Sequence, residues 1–337
     1  MSHLGVKLSK SSAVTSRKIA VVIPAFRVTS HILQVIDAIG PEVDLIYVVD
    51  DKCPDLTADH VENNCTDNRV IVLRNEENLG VGGAVKSGYQ RAISDNAEII
   101  VKLDGDGQMN PDMIPRLIEP LLLHYADYSK GNRFNNIEDI KKMPKVRIFG
   151  NLVLSFLSKF STGYWRVFDP TNGFTAITRD ALSEIPLSKI SNRYFFESDM
   201  LFRLNIARCK VTDVAMPAIY GSEKSNLKIT RTILEFPLKH LRNFLKRIFY
   251  TYYLRDFSIT SIELPAGIIL AAYSVFSSIV EWNQATRTSF PTPTGTLLLI
   301  SISILASIQL LLNCLNHDIQ NSSSLCVDYK SILRRRA

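Results

Sequence analysis

Asp104 and Asp106 stand two residues apart in Ile99-Ile-Val-Lys-Leu-Asp-Gly-Asp-Gly-Gln108, directly after an apolar run. Carboxylates at this spacing can approach one hard cation or one polyphosphate–metal unit, and Gly105 and Gly107 let backbone come close. The same pattern occurs in ordinary solvated turns, so the chemistry has to be narrowed by exclusion. An EF-hand beginning at Asp104 needs glycine at position 109 and glutamate at 115; Met109 and Pro115 stand there, which excludes a calcium loop. Gly80, Gly82 and Gly83 open a G-x-G-x-x-G pattern, but Val85 takes the last glycine's place and also denies Lys86 the glycine that a Walker loop requires. Lys86 near a helix N-terminus still suits a phosphate group, while tight helix–sheet packing explains the same glycines. A second acid pair, Asp50-Asp51, closes the apolar run Leu45–Val49. Four carboxylates are thus expected to converge on one sheet edge, where they need a cation or hydrogen-bond donors.

The elements that would position these acids alternate. Ile19–Phe26 reads as a strand that should stop pairing at Pro24. A helix follows over Ile32–Ile39, a strand over Leu45–Val49, a short helix over Asp59–Cys65 and a strand over Val70–Leu73. Asn78–Tyr89 is a Gly-rich turn opening a helix, and the strand from Ile99 comes next. This alternation predicts an α/β fold with a mainly parallel sheet. Ligands of open α/β sheets bind at the carboxyl ends of strands, which is where both acid pairs fall.

A length of 337 residues allows one large domain with an appendage, or two domains. The net charge of +6 is modest, and basic residues gather in 228–255 and at Arg334–Arg336; no nucleic-acid partner is expected. Five cysteines form no CxxC pair and no zinc spacing, as expected of reduced thiols. Residues 1–17 are polar and Ser-rich without an apolar core, hence expected to be a disordered lead-in and no signal peptide.

Taken together, the motifs resemble glycosyltransferase family 2, the inverting sugar-nucleotide enzymes with the GT-A fold, and within it the polyprenyl-phosphate (dolichyl-phosphate type) sugar synthases. The matching stretches are Ile23-Pro-Ala-Phe26, Val49-Asp-Asp51, Asn78–Tyr89, Leu103–Gln108, Gly131-Asn-Arg-Phe134, Asp169-Pro-Thr-Asn-Gly-Phe174 and Phe196-Glu-Ser-Asp199. The resemblance implies that Pro24, Ala25, Asp50 and Asp51 line the nucleotide pocket, with Asp51 near the base or ribose. It implies that Asp104 and Asp106, with Gln108 beside them, hold Mg2+ or Mn2+ against the donor diphosphate. Arg133 and Arg147 fall where the synthases place arginines near donor and acceptor phosphates, and Lys224 could reach a donor phosphate from a loop. Glu197 falls where many members have the general base, with Asp199 two residues on; the alternative for either acid is a helix cap. The implied partners are a nucleotide-sugar donor and a polyprenyl-phosphate or lipid-linked glycan acceptor.

Residues 229–257 are helical in pattern, basic and aromatic, as suits an anionic membrane surface. Leu264–Val280 and Leu297–Leu315 are apolar and uncharged, close to the ~20 residues that cross a bilayer. The connection Trp282–Thr294 carries two prolines and an interfacial Trp. The expected organisation is a catalytic domain over 18–226, interfacial amphipathic helices over 227–258, a transmembrane hairpin over 259–318 and a basic tail over 319–337. Lys/Arg density outside the hairpin puts the catalytic domain and both termini in the cytoplasm, in an integral membrane protein for which a homo-oligomer is among the expected partners. Rival readings are extension of another envelope glycan, a two-metal nucleotidyltransferase, and an inactive membrane scaffold.

Overall fold

The computed structural model describes residues 17–135, 145–169, 172–217, 229–323 and 325–327. Its centre is an eight-stranded sheet with the order β3-β2-β1-β4-β6-β5-β7-β8. The first half builds the parallel side by alternation: β1 (Ile19–Ala25), α1 (Ile32–Asp37), β2 (Leu45–Asp50), α2 (Thr57–Asn64), β3 (Val70–Arg74), α3 (Val81–Ser94) and β4 (Ile99–Lys102). After α4 (Ile114–Leu122), β5 (Tyr128–Asn132) and α5 (Lys145–Thr162), the strand β6 (Thr175–Thr178) enters antiparallel between β4 and β5. Then come α6 (Arg179–Ser183), α7 (Phe196–Ile206) and β7 (Val211–Ala215), which pairs parallel with β5.

Period-two alternation divides β1 between two cores. Ile19, Val21 and Ile23 pack with α1 and α4, whereas Ala20 and Val22 face α3 and α7. Both faces are covered, so the strands read as continuous apolar runs rather than alternating ones. Gly88 on α3 lies against β1, where a Cβ would come within 2.3 Å of Val22 Cγ1, whereas Cβ atoms on Gly80 and Gly82 would meet Asn192 O and Ser191 O rather than the sheet. Pro24 does not end β1, and it stands in register with Val49 while Ala25 pairs with Asp50. Carbonyls of β1 alternate between neighbours, Val22 O accepting from Leu103 on the β4 side and Ala25 O from Asp51 on the β2 side. The missing Pro24 N–H therefore faces the side where β4 has already ended, and pairing with β2 continues.

The last third is helical: α8 (Ile229–Phe249), a π-helical turn (Tyr250–Arg255), α9 (Ile259–Thr288) and α10 (Thr294–Ser323). Along α8, His240, Asn243 and Arg247 face inward, while Leu238, Leu241, Leu245 and Phe249 are exposed. The helix thus turns polar groups to the protein and an apolar stripe outward, together with exposed Arg242 and Lys246. Both α9 and α10 are long and apolar enough to cross a membrane, about 45 Å each at 1.5 Å per residue. Only 22% and 17% of their apolar windows are buried, unlike core helices. They pack on each other where Ser307 Oγ donates to Gly267 O at 2.9 Å, a small-residue contact of the kind that lets helix backbones approach.

Two boundaries differ from expectation. The helix α9 continues through Trp282 to Thr288 because no Gly or Pro lies between Val280 and Ser289, which adopts a left-handed φ of 57° ahead of Pro291 and Pro293. The expected tail after residue 318 instead begins as helix, and β8 (Cys326–Val327) joins the sheet beside β7, satisfying an otherwise open edge. Residues 1–16 and 328–337 lie outside the described residues. Asp318, near the end of α10, accepts from both Arg247 terminal nitrogens at 2.6 and 2.9 Å, from Trp165 Nε1 at 2.8 Å and from the Tyr252 hydroxyl at 2.7 Å. This buried knot ties the helical hairpin to the sheet domain.

Candidate active site

The strand β4 ends at Lys102, and the turn after it presents Asp104, Asp106 and Gln108 to a cavity of about 100 Å³. Arg133, Asn172 and Gly173 complete its polar wall, and Met109, Met113 and Met216 its apolar one. Gly107 has a φ of +73°, which lets the chain turn so that Asp106 Oδ1 accepts from Gln108 N at 3.0 Å. Gly105 faces the opposite way, packed toward Ile23, Val28 and Ile32. Arg133 reaches the cavity from the end of β5 and is held bidentate by buried Asp169, at 2.8 Å through Nε and 3.1 Å through a terminal nitrogen.

Lys102 and Lys130 lie beneath this wall and are fully buried. They occupy the same level of the sheet, because both pair with Thr175 on β6 from opposite sides. Lys102 Nζ is 2.8 Å from Asp104 Oδ1 and 3.4 Å from Glu197 Oε1 on α7. Burial alone would push the Lys102 ammonium down, but the two carboxylates outweigh it and its pKa is raised. Lys130 donates to Asn172 O, and burial, only partly offset by Asp169 and Glu197, pushes it down to about 8. Burial likewise pushes Asp213 up to about 6, although it accepts from Phe168 N and Asn132 Nδ2 at 3.0 Å each. None of these three was singled out from the sequence. The available signal was a lysine inside an apolar strand, since lysine is almost never fully buried unless paired.

Other expected site residues lie elsewhere. Asp50 and Asp51 end β2, separated from β4 by β1, and their carboxylates do not join the Asp104 cavity. Asp50 accepts from Cys53 N at 2.7 Å and Ala58 N at 2.8 Å. Asp51 accepts from Asn75 Nδ2 and Leu79 N at 2.9 Å and from Gly80 N at 2.7 Å. The four carboxylates stand at the same carboxyl-terminal edge of the sheet, as expected, but they do not share a cavity: backbone N–H groups and the Asn75 amide satisfy the first pair. Pro24, half-buried, and Ala25, buried, stand at the neighbouring end of β1. Lys86 is tied to the 190–192 segment, donating to Ile190 O at 3.0 Å and to Asn192 Oδ1, and burial lowers its pKa. Asp199 is buried under Ser191, whose N and Oγ donate at 2.9 and 3.1 Å, and Asn243, which donates at 3.1 Å. Glu197 thus reaches the Lys102–Asp104 pair and Asp199 does not. Arg147 lies on α5 with its side chain outside the described residues, as is the whole of Lys224.

The family model of glycosyl transferase family 2 matches residues 20–186, which run from β1 to the segment after β6. The chain is 32% identical over 170 residues to a UDP-N-acetylglucosamine–dolichyl-phosphate N-acetylglucosaminyltransferase of Methanococcus voltae, covering 50% of this chain and 67% of that protein. The chain belongs to glycosyl transferase family 2. A second relative of this transferase is an undecaprenyl-phosphate mannosyltransferase of Micrococcus luteus, 32% identical over 165 residues, 48% of this chain and 66% of that protein. Among solved structures, glucosyl-3-phosphoglycerate synthase of Mycobacterium tuberculosis, in complex with Mn2+, UDP-glucose and phosphoglyceric acid, superposes with a TM-score of 0.50 at 21% identity. That match covers 68% of this chain and 79% of that one and supports the GT-A fold. As a family 2 member, the protein is a glycosyltransferase.

Proposed function

We propose that this family 2 transferase is an inverting enzyme that moves a sugar from a nucleoside-diphosphate donor to a polyprenyl phosphate at the cytoplasmic face of a membrane. The observation that carries the reading is the shared cavity of Asp104, Asp106 and Arg133, in a chain that also holds two long, outward-apolar helices. Two relatives named for dolichyl and undecaprenyl phosphate support the acceptor class.

The donor set fits a hard divalent ion. Asp104 and Asp106 offer carboxylate oxygens, and Gly173 keeps the Asp104 side open, because a Cβ there would lie 2.8 Å from Asp104 Oδ2. Among the described residues no group of three or more His, Cys, Asp or Glu side chains forms a metal cage, so a cation held by Asp104 and Asp106 would need further ligands from the donor. Mg2+ or Mn2+ held by Asp104 and Asp106, with Gln108 beside them, would neutralise charge on the departing nucleoside diphosphate. Arg133, fixed in orientation by Asp169, adds a planar cation suited to phosphate. Pro24, Ala25 and the loop clamped by Asp51 form the neighbouring strand end, where the nucleoside is placed in this reading. Glu197 directs Oε1 to Lys102. A phosphate acceptor is already ionised near pH 7 and needs no base, which leaves Glu197 to hold the Lys102 ammonium. The exposed Leu238, Leu241, Leu245 and Phe249 of α8 would lie against the same membrane surface.

Incubating membranes that contain the full chain with labelled sugar nucleotides and Mn2+, followed by organic extraction, tests the reading. Label should enter the organic phase from at least one donor and be released by mild acid. Labelling of water-soluble glycan alone would replace the lipid phosphate by a glycan acceptor, and labelling of nothing would sink the proposal.

A further inference from the structure

Lys102 occupies a place that hydrophobic packing alone would fill with an aliphatic residue. It ends a strand flanked on both sides, its side chain is 1% exposed, and the three residues before it in β4 are Ile99, Ile100 and Val101. Its ammonium bridges two acids of different elements, Asp104 at 2.8 Å and Glu197 at 3.4 Å. The site is built around that group: a Cβ on Gly173 would fall 2.3 Å from Nζ. An ammonium buried this deeply costs desolvation, and its ion pairs are weak evidence for stability, which asks what else retains it.

We propose that Lys102 is a charge-setting, positioning residue of the transfer site, whose ammonium holds one oxygen each of Asp104 and Glu197 and weakens the grip of the Asp104–Asp106 pair on a free divalent cation. This rests on the metal-binding reading above. A cation approaching Asp104 Oδ2 meets the ammonium across the same carboxylate, where low local dielectric makes like charges repel strongly. The donor diphosphate brings the negative charge that offsets this, so firm metal binding is left to the metal–donor complex. Glu197, though no metal ligand, enters the same balance by sharing the ammonium with Asp104.

The test is Mn2+ titration by electron paramagnetic resonance on the detergent-solubilised full chain, with and without UDP or GDP. Lys102→Met should bind free Mn2+ at least about tenfold more tightly than wild type and lose most of the dependence on nucleotide. Glu197→Gln, an isosteric change at a partly open position, should bind free Mn2+ several-fold more weakly. The double variant should fall between them, and kcat should drop in Lys102→Met beyond any change in donor KM. Unchanged or weaker Mn2+ affinity in Lys102→Met would overturn the proposal. So would unchanged affinity in Glu197→Gln, which decides alone where Lys102→Met fails to fold. Wild-type Mn2+ binding that Asp106→Asn abolishes, combined with an unaltered Lys102→Met, sinks this inference while sparing the metal reading. Absence of saturable Mn2+ binding in wild type even with nucleotide sinks both.

Discussion

Two acid pairs end two parallel strands of one sheet, one strand apart, and they have opposite fates. Asp50 and Asp51 turn to backbone N–H groups of Cys53, Ala58, Leu79 and Gly80 and are buried. Asp104 and Asp106 face a cavity with Arg133, Asn172 and Gly173. The spacing explains part of this. Adjacent acids point to opposite faces of a strand end and meet a different loop on each side, whereas acids two apart, with glycine between and after, can share one side. The surrounding chain explains the rest. A helix begins seven residues after Asp50, at Thr57, and another directly after Gly80, at Val81, so each carboxylate meets unpaired N–H groups of an opening helix or its approach. Glu197 and Asp199 repeat the contrast on α7, one reaching the Lys102–Asp104 pair and the other buried under Ser191 and Asn243. Charge at a strand end therefore points to a candidate site where the carboxylates face a cavity rather than being enclosed by neighbouring donors.

The comparison breaks most visibly at Asp104. Replacement by Asn should lower sugar transfer by about a thousandfold, ~4 kcal/mol in the barrier, and should also lower the unfolding temperature, because the buried Lys102 ammonium loses its nearer carboxylate. An active Asp104→Asn enzyme would move the diphosphate clamp elsewhere. Next in size is His240 of α8, a base held inside the fold as Asp50 is an acid. It is 3% exposed, 2.7 Å from Ser161 Oγ, edge-on to Phe195, and burial pushes it down to about 4. A depressed imidazole contributes stability that is present in full above the unfolded pKa near 6.5 and is lost as pH falls toward 4, about 3 kcal/mol at the limit. Asp213, raised by burial to about 6, slopes the other way, its stabilising effect lost as pH rises from about 4 to 6. Subtracting the unfolding profile of His240→Gln from that of wild type isolates the histidine part, and a difference independent of pH would contradict its burial as the neutral form.

Smaller effects sharpen the same contrast. Asp50→Asn should cost about 2 kcal/mol, because two buried N–H donors lose a charged acceptor, while activity per folded molecule persists. Loss of activity at an unchanged melting temperature would instead place Asp50 among the groups that touch substrate. Asp199→Asn should cost only about 1 kcal/mol, since the amide oxygen can still accept from Ser191. Measured beside Glu197→Gln, it should be the less damaging change to kcat.

Much of the fold was legible in the order of elements. Apolar strands ending in acids, alternating with helices, specify a mainly parallel sheet because only that arrangement covers both faces of each strand. Pro24 misled, because its effect depends on which neighbour its missing N–H faces, and that is a property of the sheet order. The small strand β8 was illegible for a similar reason: Cys326–Val327 carries no pattern of its own and pairs only because β7 presents an edge. At the site, Asp104, Asp106, Gln108 and Arg133 were found from their motifs, whereas Lys102, Lys130 and Asp213 were not. Their role arises from burial, and a single charged residue in an apolar run announces burial without naming its partner.

The sequence by itself determined the chemistry that is possible here: two carboxylates free of any EF-hand or P-loop context, motifs in order that belong to glycosyl transferase family 2, and two apolar stretches long enough to span a bilayer. The tertiary structure alone decided which acids are available for that chemistry. It did so through contacts between residues far apart in the chain, Asp51 with Gly80, Lys102 with Glu197, and Arg247 with Asp318, whose separations no local pattern encodes. The physical reason is that a carboxylate's function depends on which donors reach it first, and donors are assigned by packing.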